Sequence, residues 1–223
     1  MDNKEVHKLV RQSIGQFLKE YNFVKQGNNC WVRSTKEMIH MICLDFSYGQ
    51  ESFDFDIAVQ PWCLPEEDVY LNISCRSKQL DERMAVPHWG SYEEDELLKD
   101  INDAKNVLKN KALPLLDNLS DSISLISCIE QKTFVVDPYK KSRIYTYIYF
   151  YKHKFKEAHN WLKEFYSLHS NFNNPKLIAD RERLAALAEL SKRGLYGEID
   201  SYFDRLIGEN AEKFKLKCLN IRP

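Results

Sequence analysis

The sequence predicts an α+β fold, with an N-terminal antiparallel sheet flanked by helices and an all-α C-terminal part built of helical hairpins. Apolar residues alternate with period two over residues 38–46 and 53–59, which is typical of strands. From residue 121 onward they follow helical spacing. The net charge also changes sign, since residues 1–120 hold 14 basic and 20 acidic residues and residues 121–223 hold 18 and 13. We therefore predict two domains, 1–120 and 121–223, whose opposite charges attract.

The two central strands have unlike faces. The first is apolar on both sides, which indicates an inner strand covered on both faces. The second places Asp54 and Asp56 opposite its Phe and Ile side chains, and Asp45 falls on the same side. These carboxylates either keep a solvated face soluble or form a docking surface for a basic partner. A metal site is disfavoured, because carboxylates at alternate strand positions need a third ligand that the sequence does not supply.

A helix opens the chain. Its apolar stripe runs over residues 6–21, Asp2 or Asn3 can cap its start, and Asn22 can stop it. Two short strands follow around a tight turn at residues 27–29.

The remainder of the N-terminal part is less regular. Residues 69–75 predict a further strand. Ser91 and Glu94 have the spacing of a capping box ahead of a charged helix. We expect Pro114 to kink or break that helix.

The C-terminal part shows four helical patterns, which predict a small repeat-like stack of two hairpins. Turns are expected at residues 152–154 and at Gly194. The apolar positions of the four patterns lie in residues 144–151, 155–165, 177–187 and 199–207.

Composition indicates the compartment and the state of the cysteines. The chain has neither an apolar run of membrane-spanning length nor an N-terminal apolar run before a cleavage site, so we expect a cytoplasmic protein. The six cysteines form no CxxC pair. We therefore expect reduced thiols, and neither a zinc site nor a disulfide framework.

Motifs of known enzyme classes are missing from the sequence. It has no P-loop, no GxGxxG, no nucleophile elbow and no HExxH. His40 lies on the apolar face of the central strand, where we expect a hydrogen-bonded core histidine, and His88 lies beside Trp89 in a loop. We predict no enzymatic activity, no cofactor, and no catalytic, cofactor-binding or metal-binding residue.

Residues 139–156 combine lysines, Arg143 and many aromatic residues without an acid. Such a segment can hold phosphates and stack bases, so nucleic-acid binding is the alternative function. It can equally be an aromatic helix that is buried on one side and faces the acidic N-terminal part. The chain as a whole is not basic, which favours the second interpretation.

The first 120 residues carry several modest motifs in a fixed order. An opening helix runs into KEYNFVKQG at residues 19–27, two strands cover residues 39–46 and 53–59, and Trp89 precedes a charged helix that ends in LPLL at residues 113–116. In this order the motifs resemble a bacterial domain-of-unknown-function family, the one numbered 4304. A glycine follows Trp89 where that family is expected to have a second tryptophan. The resemblance implies a fold and no established activity.

We predict a bacterial, non-enzymatic protein-binding module. By analogy with other small acidic α+β families, it is an immunity protein of a toxin system, with another, basic protein as its partner and no membrane association. The candidate binding residues are Asp45, Asp54, Asp56, Glu66, Glu67, Asp68, His88 and Trp89.

Overall fold

The computed structural model describes residues 1–46, 52–65, 73–80, 89–119, 121–169 and 174–213. The chain divides into two compact units, one of residues 1–60 with 70–135 and one of residues 61–69 with 136–223. The first holds an antiparallel sheet with helices, and the second is helical. This confirms the predicted α+β fold with a helical C-terminal part.

The opening helix, α1, covers Asn3–Lys19. Asp2 caps it, and Asp2 and Glu5 form a reciprocal capping box that satisfies two backbone N–H groups at the helix start. Asn22 follows in the left-handed region with a φ of 64°, which Asn tolerates better than most residues. The stripe that faces the sheet is buried at Val6, Val10, Ile14 and Leu18.

The sheet has five strands in the order of the sequence. They are β1 (Val24–Gln26), β2 (Cys30–Ser34), β3 (Met38–Asp45), β4 (Asp54–Pro61) and β5 (Ser74–Arg76). Strand β3 is buried at every residue from Met38 to Leu44, so the prediction of an inner strand covered on both faces is confirmed. Strand β5 lies within the predicted strand 69–75 and one residue beyond it, and residues 66–72 lie outside the described part.

One prediction about the cysteines is wrong. Cys30 and Cys43 stand directly opposite each other on β2 and β3, with Cα atoms 4.1 Å apart, and they form a disulfide. The prediction considered each cysteine in its local context and left strand register out, although register brings these two together. Free thiols remain at Cys63, Cys75 and Cys128.

The helices that follow the sheet are α2 (Ser77–Leu80), α3 (Glu94–Val107), α4 (Leu113–Asp117) and α5 (Ser122–Glu130). The predicted cap of α3 is wrong, because the helix begins after Glu93 and no side chain caps it. The predicted break at Pro114 is absent, because helical residues continue through it, whereas a kink there stays a prediction. A π-helical turn at Leu108–Ala112 joins α3 to α4, and Pro114 falls in the first turn of α4.

The second unit contains α6 (Pro138–Tyr151), α7 (Phe155–Leu168), α8 (Pro175–Lys192) and α9 (Tyr196–Lys213), which confirms the four predicted helices. Gly194 ends the third with a φ of +71°, as expected for a helix stop. Beyond residue 121, the described residues form no strand, only a single bridge between Ser74 and Val135. In the described part of the chain, no helix is long and apolar enough to cross a membrane.

The two units do not coincide with the predicted boundary at residue 120. Residues 121–135 group with the sheet, and residues 61–69 group with the helices. Within the second unit, the buried Asn210 side chain donates hydrogen bonds to the carbonyl oxygens of Trp62 and Leu64, both at 2.9 Å. The division into two domains, 1–120 and 121–223, stays a prediction.

Candidate functional site

Three of the predicted binding residues, Asp45, Asp54 and Asp56, lie at the ends of β3 and β4 on one face of the sheet. Asp54 is 4% exposed, whereas Asp45 and Asp56 are partly exposed. Besides burial, the Asp45 charge raises the pKa of Asp54, and the charges of Asp54 and Asp45 raise the pKa of Asp56. The structure therefore brings these three residues together, but it buries Asp54.

Asp54 is held by hydrogen bonds inside the first unit. Its Oδ1 accepts from the Ser77 hydroxyl and, at 2.6 Å, from the Phe55 backbone N–H. Burial raises the pKa of Asp54, and these hydrogen bonds offset part of that rise. Both observations describe a buried carboxylate held by its own unit.

Asp56 pairs with a residue of the edge strand. Arg76 lies directly opposite it on β5, with the Arg76 Nε 3.8 Å from the Asp56 Oδ1. Burial raises the pKa of Asp56, and the charge of Arg76 works against that rise. Burial and the neighbouring Asp56 charge raise the pKa of the Cys75 thiol to about 12, which makes Cys75 a poor nucleophile at neutral pH.

Trp89 contributes to the core. It is 7% exposed and stacks on Phe53 and Phe55, with ring centroids 5.7 and 5.6 Å apart. Its backbone oxygen accepts a 2.7 Å hydrogen bond from the Phe53 N–H. The other predicted binding residues, Glu66, Glu67, Asp68 and His88, lie outside the described residues.

His40 is the hydrogen-bonded core histidine that the sequence predicts. Its Nδ1 accepts a hydrogen bond from the Arg33 Nε at 3.3 Å, and Arg33 forms an ion pair with Asp117. Burial and the nearby Arg33 charge lower the pKa of His40 to about 3. Among the described residues, the His40 Nε2 has no hydrogen-bond partner.

The basic aromatic segment 139–156 mostly forms α6, and its rings largely serve the core of the second unit. Tyr145, Tyr147 and Phe150 are all 1% exposed or less. Arg143 is occupied as well, since its Nε lies 2.5 Å from an Asp180 oxygen and its Nη2 donates to the Pro65 carbonyl at 2.8 Å.

Asp180 is the centre of a buried polar network on α8. It is 3% exposed and accepts a 2.8 Å hydrogen bond from the Tyr147 hydroxyl in addition to its pair with Arg143. Burial and the Asp180 charge raise the pKa of Tyr147 well above its usual value. Because Asp180 is buried and bonds to Arg143 and Tyr147 on α6, the network positions α6 and α8 relative to each other.

An exposed acidic surface at the start of α3 was not among the predicted binding residues. The four consecutive side chains Glu93–Glu96 are all exposed, and Tyr92 and Leu98 beside them are each 39% exposed. The Tyr92 hydroxyl donates a 2.6 Å hydrogen bond to the Asn3 Oδ1 at the start of α1, where Asp2 and Glu5 are exposed too. We call Asp2, Glu5 and residues 92–98 the acidic surface. The run of four acids was visible in the sequence, but Glu94 was interpreted only as part of a helix cap.

Comparison with protein-family models, with curated proteins and with solved structures found no match for this chain. The described residues also contain no group of three or more His, Cys, Asp or Glu side chains able to hold a metal ion.

Proposed function

We propose that the protein is a non-enzymatic protein-binding module that takes a basic protein partner on its acidic surface. The observation that carries the proposal is the combination of four adjacent exposed carboxylates with two exposed large apolar side chains, Tyr92 and Leu98. Partly apolar patches rimmed by charge are typical of protein interaction sites.

Helix stability alone is a weaker account of this surface. Acidic side chains in the first turn of α3 interact favourably with the helix dipole, by about 0.3–1 kcal/mol each. That effect gives no reason for Tyr92 and Leu98 to remain exposed. Tyrosine is among the side chains that dominate binding energy at interfaces, so Tyr92 is the expected anchor.

The charge of the surface also defines the partner. Lys4 and Lys99 are the basic neighbours within residues 1–5 and 92–99, where acids outnumber them. A partner patch of lysine and arginine side chains would be steered toward this surface, and the association rate would fall as salt increases.

The earlier candidates enter the proposal in a reduced role. Asp45 and Asp56 remain candidate contacts because they are partly exposed, whereas Asp54 and Trp89 are buried in the first unit. The proposal also has a more specific part. It includes membership of the unknown-function family numbered 4304, the role of an immunity protein and a cytoplasmic location. A neighbouring toxin gene whose product binds the acidic surface would support that part.

A defined cationic probe tests the surface. We would titrate the protein with a peptide of alternating lysine and leucine and follow backbone NMR signals. We expect shifts concentrated at residues 92–98 that weaken in the charge-reversed variant Glu94→Lys/Asp95→Lys. The control, Glu182→Lys/Glu189→Lys, reverses two exposed glutamates on α8 and should leave those shifts intact. Equal shifts in all three proteins would contradict the proposal.

Nucleic-acid binding stays the alternative, and one observation favours it. Phe155 and Tyr196 stack with centroids 4.9 Å apart, Tyr196 is 46% exposed, and Lys154 and Lys156 are exposed near this pair in sequence. Exposed rings beside lysines can stack single-stranded bases. Binding of single-stranded RNA that falls steeply between about 50 and 200 mM salt, and that Tyr196→Ala weakens, would favour this alternative over the protein-binding module.

A further inference from the structure

The Cys30–Cys43 disulfide lies at one end of the paired strands β2 and β3. The Leu44 N–H donates a 2.8 Å hydrogen bond to the Asn29 carbonyl, so the next pair along the ladder, Cys30 with Cys43, is a non-hydrogen-bonded pair. In such pairs the side chains are closest, which explains the 4.1 Å between these Cα atoms. The bridge therefore follows from register and needs no rearrangement to form.

The same geometry limits how much the bridge adds to the stability of the fold. It closes a separation of only 13 residues, and β2 and β3 already pair by backbone from Cys30 to Ser34. Cross-links stabilise most when they close long, otherwise open loops. We therefore expect the sheet to keep its register without the bridge, so that the bridge can open while the protein stays folded.

Both ends of the bridge are next to residues that α1 holds. On one side, the Arg11 Nε donates to the Asn29 Oδ1 at 2.7 Å, and Asn29 directly precedes Cys30. On the other side, Phe46 lies three residues after Cys43, with its ring 4.1 Å from the His7 ring and 4.9 Å from the Arg11 guanidinium. Arg11 thus contacts both strand ends, and the bridge keeps those ends together.

Access to the two sulfur atoms is unequal. Cys30 is partly exposed, whereas Cys43 is 7% exposed. An external thiolate therefore reaches the Cys30 sulfur more readily than the Cys43 sulfur.

We propose that Cys30 and Cys43 form a reversible redox switch, opened by a protein dithiol reductant, that controls how tightly the Asn29 and Phe46 strand ends are held against α1. The attacking thiolate bonds to the Cys30 sulfur, and the Cys43 sulfur leaves as a thiolate that takes up a proton. The second thiol of the reductant then displaces Cys30. Two electrons and two protons reach the cysteine pair, and the reductant becomes a disulfide.

Hydrogen exchange of the folded, full-length protein tests this switch at two backbone positions. The Leu44 amide reports on the bridged end of the β2–β3 pair, and the Thr35 amide, bonded to the Met38 carbonyl at 2.7 Å, reports on the opposite end. Adding a reduced dithiol protein should release two alkylatable thiols per chain. It should also speed exchange at Leu44 by at least about tenfold, with little change at Thr35.

Two variants complete the test. Cys30→Ser should exchange at Leu44 as reduced wild type does and should not respond to the reductant, while Cys128→Ser, which removes a half-exposed free thiol on α5, should behave as wild type. If Cys30→Ser fails to fold, the change in Leu44 exchange when the wild-type protein is reduced is enough to test the switch. A bridge that becomes reducible only when the whole chain unfolds, or Leu44 exchange that ignores reduction, would overturn the proposal. Because this hydrogen-exchange readout does not depend on partner binding, the proposed function can fail while the redox switch is confirmed, and the reverse.

Discussion

Asp54 is a buried acid, and the free energy needed to bury its charge should appear in the pH dependence of stability. Burial raises its folded-state pKa above the ordinary value of 3.8, so between those two values the folded protein binds more protons than the unfolded chain. The free energy of unfolding then falls as pH rises through this window. We expect Asp54→Asn to remove this decline in denaturant unfolding curves. The control Asp103→Asn, at an exposed position of α3, should retain it.

His40 should have the opposite effect on the pH dependence of stability. Its pKa falls from 6.5 in the unfolded chain to about 3 in the folded protein, so the unfolded chain binds the extra proton between these values. Its contribution to stability is complete above pH 6.5 and is lost as pH falls toward 3. We expect NMR of the His40 ring to show the neutral form at pH 5. A ring that titrates near 6.5 would refute this explanation.

At the residue scale, the sequence predicts whether a side chain is buried better than it predicts which other side chains it contacts. The alternation in β3 was enough to place His40 in the core, because period two fixes which face a side chain occupies. It did not reveal that Asp54 is covered, since Ser77 comes from a different, distant element. It also missed the Cys30–Cys43 bridge, because that pair depends on the register between two strands.

At the scale of elements, Gly15 on α1 allows the helix to approach the sheet. A Cβ atom there would lie 3.0 Å from atoms of the Trp31 indole on β2, closer than ordinary contact. We expect Gly15→Ala to destabilise the protein by about 1–3 kcal/mol, as overpacking does. The matched control is Gly208→Ala on α9, where no atom lies within 4 Å. Its alanine should stabilise by about 0.4–1 kcal/mol. Equal effects in thermal unfolding would rule out the close approach.

Helix boundaries show why element prediction was only partly successful. Amphipathic spacing located α1 and the four helices of the second unit, because burial of one face is encoded locally. The junction at Pro114 was not predictable in this way. The π-helical turn at Leu108–Ala112 adjusts the backbone before the proline, and no local rule for proline in helices indicates that solution.

At the scale of the whole molecule, residues 61–65 should contribute to the stability of the helical unit. Asn210→Ala on α9 would leave the Trp62 and Leu64 carbonyl oxygens without their buried donor. We expect a loss of about 1–3 kcal/mol in the unfolding of that unit. Ser201→Ala, which removes an exposed hydroxyl bonded to the Gly197 carbonyl of the same helix, should change stability by less than about 0.5 kcal/mol. A neutral Asn210→Ala would show that the segment contributes little.

The fold class was predictable from periodicity, whereas the grouping of segments was not. Alternation before residue 60 and helical spacing after residue 121 together indicate an α+β chain with a helical C-terminal part. The assignment of residues 61–69 to the second unit depends on contacts such as Asn210 with Trp62, 148 residues apart in sequence. No local pattern encodes a contact at that separation.

The proposed function is best decided by the proteins that the chain retains from cells of its source organism. Wild type, Glu94→Lys/Asp95→Lys and the control Glu182→Lys/Glu189→Lys would be immobilised in parallel and compared by quantitative mass spectrometry. We expect at least one basic protein that wild type and control retain equally and that the Glu94/Asp95 variant loses by more than about tenfold. If every protein held by wild type is held equally by the variant with the reversed acidic surface, that surface is not the binding site.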